Sequence, residues 1–296
     1  KLYQNNDWVW VPVRLRKTDI DYINKYWGAC EDKSAPTLEK IHSKYYLRFS
    51  FTETVILSDT PIAEQIICAV DLGINTDAVC SIMKADGTIL ARKFIDFTSD
   101  KDRMIHAMNR TRRKQSKYGP KSVKSLWAYV KRLNEDRAKK ISAAIVEFAS
   151  QHSVDAIVME HLDFKGCKKR GSKAQRLSMW NHGIIREKVE QKAHLLGIRI
   201  ATICAWKTSA LAFDGSGSVA RDDNNHALAA FTTGKQYNCD LSASYNIGAR
   251  YFIRELLKSL PATEESRVKA KVPDAGRRTS CTLSTLRALV KELSAA

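Results

Sequence analysis

Three acids stand at the ends of apolar runs. Asp71 closes IICAVD (66–71), Glu160 closes DAIVME (155–160), and Asp240 opens the segment that runs CDLSASYNIGAR (239–250). An otherwise apolar strand carries a terminal carboxylate to the lip of a sheet, where acids from neighbouring strands converge. Converging carboxylates repel one another unless a cation lies between them, and hard oxygen ligands favour Mg2+ or Mn2+ over zinc. Two such ions, about 4 Å apart, clamp the attacking and leaving oxygens of a phosphodiester. The chemistry open to the trio is therefore metal-assisted hydrolysis of a nucleic-acid backbone. Each acid also has a simpler use. Asp71 can cap the turn before Gly73, Asp240 stands where a helix N-cap is expected, and Glu160 can end a strand facing solvent. Spacing along the chain does not decide between these readings.

The elements that must position these acids follow from hydrophobic periodicity. The short continuous runs at 66–71 and 155–160 read as strands buried on both faces. Two further strands are expected near 78–83 and 89–94, joined by a hairpin turn at Asp86–Gly87. Residues 99–117 and 122–152 read as helices broken at Tyr118–Gly119–Pro120. Another helix covers 181–196 and closes at Gly197, and IRIATIC (198–204) is a strand. Residues 207–238 are irregular, 240–259 form a helix ending before Pro261, and 261–296 reads as linker-like with a last helix at 282–293. Ahead of all this, alternation at 8–16 and 37–57 predicts strands, the second stretch a hairpin turning near His42–Lys44, with a short helix at 19–27. The fold class expected is a mixed α/β sheet with flanking helices, preceded by part of a small β-barrel in residues 1–65.

The chain has 296 residues and a formal net charge of +17. Residues 101–140 hold fourteen Lys/Arg against three acids, and 165–176 add six basic residues with no acid. These two stretches account for the whole surplus. A concentrated basic field marks a polyanion partner, because each phosphate neutralised releases counterions. Neither run carries the apolar face of an interfacial helix, and no apolar stretch is long enough to span a bilayer, so no membrane partner is expected. The candidate nucleic-acid contacts are Arg110, Arg112, Arg113, Lys114, Lys117, Lys121 and Lys124, with Lys168, Lys169, Arg170 and Lys173 in the second run. Seven scattered cysteines without C-x-x-C spacing exclude a disulfide scaffold and fit a reducing, cytoplasmic setting.

Three local strings link the acids. AVDLGIN (69–75), VMEHLDF (158–164) and NCDLSASYNIGAR (238–250) resemble, in this order, the three RuvC motifs of the TnpB family, the transposon-encoded RNA-guided nucleases related to type V CRISPR effectors. KVEQKAHLLGIRIATICAWKTS (188–209) resembles the helix, strand and Thr-Ser turn that lead into that family's target-loading segment, and 37–65 resembles the end of its wedge domain. The resemblance implies an RNase H-like fold. Residues 66–206 and 239–260 would form the nuclease core, with a basic helical insertion at 99–152 and a loading segment at 207–238. It implies Asp71, Glu160 and Asp240 as catalytic triad and ligands of two Mg2+ or Mn2+ ions. Guide RNA and target DNA are the implied partners, with activity at a prokaryotic nucleoid and sequence read by base pairing.

Two departures from the family pattern shape the expectation. After Thr208–Ser209 the sequence runs ALAFDGSGS, and only Cys239 stands near the place of the family's second cysteine pair, so no structural zinc is expected and 207–238 must order by packing or by binding nucleic acid. The chain opens on Lys1 with a strand-like pattern and lacks much of the family's N-terminal region, which reads as a partial reading frame. Trp127 and Tyr129 suit core packing at helical spacing, Trp180 suits either core or base stacking, and Arg221 is a candidate contact to a scissile phosphate. No Walker motif supports ATP use. The rival readings are a nuclease-silent RNA-guided DNA-binding regulator and a non-specific nucleic-acid-binding scaffold.

Overall fold

The computed structural model describes residues 2–30, 32–41, 43–162, 179–222, 225 and 227–295. The chain divides into two compact units, Lys1–Val55 and Ile56–Ala296.

In the first unit, β1 (Leu2–Gln4) and β2 (Asp7–Val9) form an antiparallel ribbon. Its two-residue turn, Asn5–Asn6, has both φ values positive, at 51° and 62°, a conformation Asn tolerates. Helix α1 (Lys17–Ile23) runs into a π-helical turn, Asn24–Gly28, and β3 (Thr37–Ile41) pairs with β4 (Lys44–Arg48). The hairpin and short helix are where the sequence predicts them. The long strand expected at 8–16 is not: pairing stops at Val9, ahead of Pro12, whose nitrogen has no hydrogen to give a ladder. The second run of 37–57 likewise leaves the ladder at Arg48. Among the described residues the unit holds two separate two-stranded ribbons, not a continuous barrel wall. Two strands cannot bury a face, and Trp8, Trp10, Tyr22 and Tyr45 stay exposed.

The second unit is built on a five-stranded sheet of β5 (Ile66–Asp71), β6 (Ala78–Lys84), β7 (Ile89–Ile95), β8 (Ala156–His161) and β9 (Arg199–Cys204), in the order β7-β6-β5-β8-β9. The first three strands form an antiparallel meander, and β8 and β9 add parallel to β5. The meander turns at Gly87 (φ 81°), and Asp86 Oδ1 accepts from Thr88 N at 2.8 Å. This is the mixed α/β sheet with flanking helices that the sequence leads one to expect.

Each central strand feeds two cores, which explains its unbroken apolar run. Cys68, Val70, Cys80 and Ile157 pack under α3 (Lys124–Gln151) and α4 (His182–His194), against Ile141, Ile145, Ile185 and Val189. Ile67, Ala69, Ala156 and Val158 pack on the other face, under α5 (Cys239–Ser259). Helix α2 (Thr98–Tyr118) and α3 form the basic insertion, broken by Gly119 at φ 78° and a 3-10 turn at Pro120–Val123. On the α5 side the chains approach closely. A Cβ on Gly248 would stand 2.9 Å from Met83 Cε and 3.2 Å from Ala69 Cβ, so the helix sits directly on β5 and β6.

Two segments are more structured than the sequence reading allows. Residues 261–296 are not a linker. Helix α6 (Ala262–Lys271), a 3-10 turn at Pro273–Gly276 and α7 (Leu283–Ser294) join the α5 core, with Val268, Leu283, Leu286 and Leu289 buried. Within 207–238 the described residues pack together: β10 (Ala220–Arg221), β11 (Leu228–Ala230) and β12 (Gln236–Asn238) make a small sheet, and Phe213 stands edge-on to Phe231, Tyr237 and Tyr245. Among the described residues no helix is long and apolar enough to cross a membrane.

Candidate active site

Strand parity and register bring two of the three acids together. Asp71 alternates with Ile67 and Ala69, and Glu160 with Ala156 and Val158, so both side chains fall on the α5 face of the sheet. The parallel pairing of β5 with β8 runs from Ile67↔Ala156 to Val70↔Met159. Asp71 and Glu160 occupy the next rung, at the carboxyl ends of adjacent strands. Asp240 enters from above, in the first turn of α5. It is not the N-cap: Asn238 takes that role, its side chain accepting from Leu241 N at 2.9 Å. All three acids are half-buried, so Glu160 is not a solvent-facing strand end.

Neighbouring groups hold these carboxylates. The Thr208 hydroxyl donates to Glu160 Oε1. Thr208 is fixed in turn by Asn246, fully buried on α5, whose Nδ2 donates to Thr208 O at 3.0 Å and Leu211 O at 2.9 Å while Oδ1 accepts from Leu283 N at 3.2 Å. One turn further on, buried Arg250 donates to four backbone carbonyls: Cys204 and Trp206 after β9, and Thr279 and Cys281 before α7. The Thr76 side chain hydrogen-bonds Asp240. The loop that carries Thr76 is tied to the insertion, because Asp77, with a wholly buried side chain, forms an ion pair with Arg137 of α3 and accepts from Phe97 N at 3.0 Å.

The electrostatics show one shared field. Burial pushes the Asp71 carboxyl well above the usual carboxylate range, the Glu160 and Asp240 charges push it the same way, and Arg221 opposes them. Burial also raises Glu160, against the Thr208 hydrogen bond and the Arg250 charge. Asp240 is raised by burial and eased by Arg221 and Thr76. Arg221, on β10, thus acts on both aspartates, and its guanidinium donates to Ser209 Oγ at 2.9 Å.

Among the described residues no three His, Cys, Asp or Glu side chains are gathered tightly enough to enclose one ion. The acids share a field without forming a closed cage. Their chemistry fits a hard divalent cation all the same. Every donor is oxygen, the donors repel one another, and Mg2+ is commonly held by one or two carboxylates while keeping several waters.

The basic insertion sorts its charges by position. Near the sheet they are matched: Arg137 with Asp77, Lys101 with Asp77 at 3.9 Å, and Lys140 with Asp100 at 2.8 Å. At the far end Arg110, Arg112, Arg113, Lys114, Lys117, Lys121 and Lys124 are all exposed. Lys168, Lys169, Arg170 and Lys173 lie outside the described residues. Trp127 is half-buried and its Nε1 donates to Gln115 at 2.7 Å, a packing role, while Tyr129 is exposed and its hydroxyl accepts from Arg103 at 3.2 Å. Sequence reasoning missed Thr76, Asn246 and Arg250. Asn246 and Arg250 sit within the third motif, but their partners lie about 30 to 45 residues away in the chain.

No family model matches the chain, and no curated protein matches it. Solved structures do. A Cas12f1–sgRNA–target DNA complex overlays with a TM-score of 0.48 at 19% identity, over 64% of this chain and 51% of that one. A CRISPR–Cas12f ternary complex gives 0.45 at 16% identity, over 78% and 48%. Thermus thermophilus RuvC gives 0.30 at 11% identity, over 77% and 96%. The chain spans about half the length of the two Cas12f chains it matches.

Proposed function

We propose that this chain carries the nuclease core of an RNA-guided DNA endonuclease of TnpB type. One observation carries the reading: acids from β5, β8 and α5 lie at one lip of the mixed sheet, where the charges of Glu160 and Asp240 both act on Asp71. The motif order in the sequence and the exposed basic helices support it.

Asp71, Glu160 and Asp240 would hold two Mg2+ or Mn2+ ions, which supply activation of water and neutralise charge on the departing oxygen. The protein's own part is positioning. Thr208 fixes the orientation of Glu160, Thr76 that of Asp240, and Arg221 supplies a positive charge beside both aspartates for the strand's phosphate. The exposed cations of α2 hold the nucleic acid by its backbone, leaving sequence to the guide.

The test is to express the protein with its native flanking DNA, purify the complex, and assay Mg2+-dependent cleavage of a matched target. Asp240→Ala should cut the rate more than about a hundredfold and leave target binding intact. Equal cleavage by both proteins would remove the site assignment. Guide-directed binding without cleavage by either would favour the silent regulator.

A further inference from the structure

Helix α2 lines two cavities that share Asn109. The first, about 380 Å³, is walled by Met104, Met108, Met179, Trp180 and Ile74, with Arg112 among its lining residues. The second is an open basic hollow on the helix surface, lined by His106, Arg110, Arg113 and Lys114. Asn109 belongs to both. At 100° per residue, 104, 108 and 112 fall on one side of the helix, 106, 110, 113 and 114 on the other, and 109 on the seam.

The first cavity is apolar and of a size that takes small ligands. Thioethers and an indole make polarizable contacts with flat aromatic rings. Two of the cations around it, Lys101 and Arg137, are already matched by Asp77. Arg112 makes no ion pair among the described residues. Among the described residues the neighbouring hollow is lined by cations, histidine and an amide, and no acid occurs between Arg103 and Tyr118. Ile74 places the pocket on the loop that leaves Asp71 and carries Thr76.

We propose that the paired cavities bind one unpaired nucleotide of a single strand, its base in the Met/Trp pocket and its flanking phosphates on Arg110, Arg113 and Lys114. Asn109, at the seam, offers an amide to the base edge, and Arg112 stands on the base-pocket side beside it. The proposal shares the nucleic-acid partner of the proposed function but not its cleavage chemistry. It therefore stands or falls on binding measured without metal.

The full chain is titrated in EDTA with a labelled oligodeoxythymidylate of about ten nucleotides, a strand of equal length with abasic spacers, and the matching oligouridylate. Wild type should bind the base-bearing strand about tenfold tighter than the abasic one, and the tighter of the deoxy and ribo strands names the backbone served. Trp180→Ala and Met108→Gln should each remove that preference while abasic binding stays unchanged, which also reports that the variants are folded. Arg113→Ala combined with Lys114→Ala should weaken all strands alike and flatten the salt dependence. Equal wild-type affinity for the base-bearing and abasic strands would overturn the pocket alone, as would a preference retained in Met108→Gln. Failure to bind any strand would overturn the polyanion partner with it.

Discussion

Thr208 spends its hydroxyl on Glu160 and its carbonyl on Asn246, so the geometry of a candidate catalytic acid depends on an amide two contacts away. Asn246→Ala removes three hydrogen bonds at a buried position and frees the turn that holds Thr208. Cleavage should fall about 10- to 100-fold with target affinity unchanged, whereas Thr208→Ser, which keeps the hydroxyl, should retain most activity. Steady-state rates of both variants on one matched target check this. Asp155 acts on stability instead. Burial pushes its carboxyl up, but hydroxyls of Ser58 and Thr60, the Ile66 N–H and the Arg199 charge outweigh that and hold it below the usual carboxylate range. A depressed folded-state pKa means its contribution is present above the unfolded value and is lost as pH falls through the folded one. Asp155→Ala should therefore cost about 1 to 2 kcal/mol at neutral pH. The gap from wild type should close on acidification below the ordinary Asp range, read from urea midpoints across pH.

The loop between β5 and β6 shows how elements are coupled. Asp77 meets Arg137 in the interior, Thr76 meets Asp240, and Lys101 of α2 donates to Asn75 O, so one six-residue loop touches the sheet, the insertion and α5. Arg137→Ala removes the close partner of a buried carboxylate, leaving it Lys101 at 3.9 Å, and should cost about 3 kcal/mol. Adding Asp77→Asn should recover part of that loss, measured by chemical denaturation. This coupling was not legible in the sequence, where Arg137 is one of fourteen cations in its stretch. The strands were legible because burial on both faces leaves an unbroken apolar run with an acid at its end. The three strands of 207–238 were not, since two or three residues cannot display a period of two. Helix α6 was hidden for a different reason: Val268 is its one wholly buried side chain, and the rest is a solvated face.

At the scale of the second unit, the sheet is completed by its last helices. Leu283, Leu286 and Leu289 each contribute about 2 kcal/mol of burial, a sum comparable with the whole stability of a domain. A chain cut after Gly276 should lose its cooperative thermal transition, followed by far-UV circular dichroism, together with any cleavage. The site itself shares this dependence. Asn246 and Arg250 reach back to Thr208 and Cys204 and forward to Leu283, Thr279 and Cys281. Ribosomes deliver residues in order, at about 5 to 20 per second. Asp71 thus waits through more than two hundred further residues before the contacts that set Glu160 can close. A nascent chain can therefore display its basic helices long before it can assemble its acids, so the candidate site is completed only once Leu283 has been made.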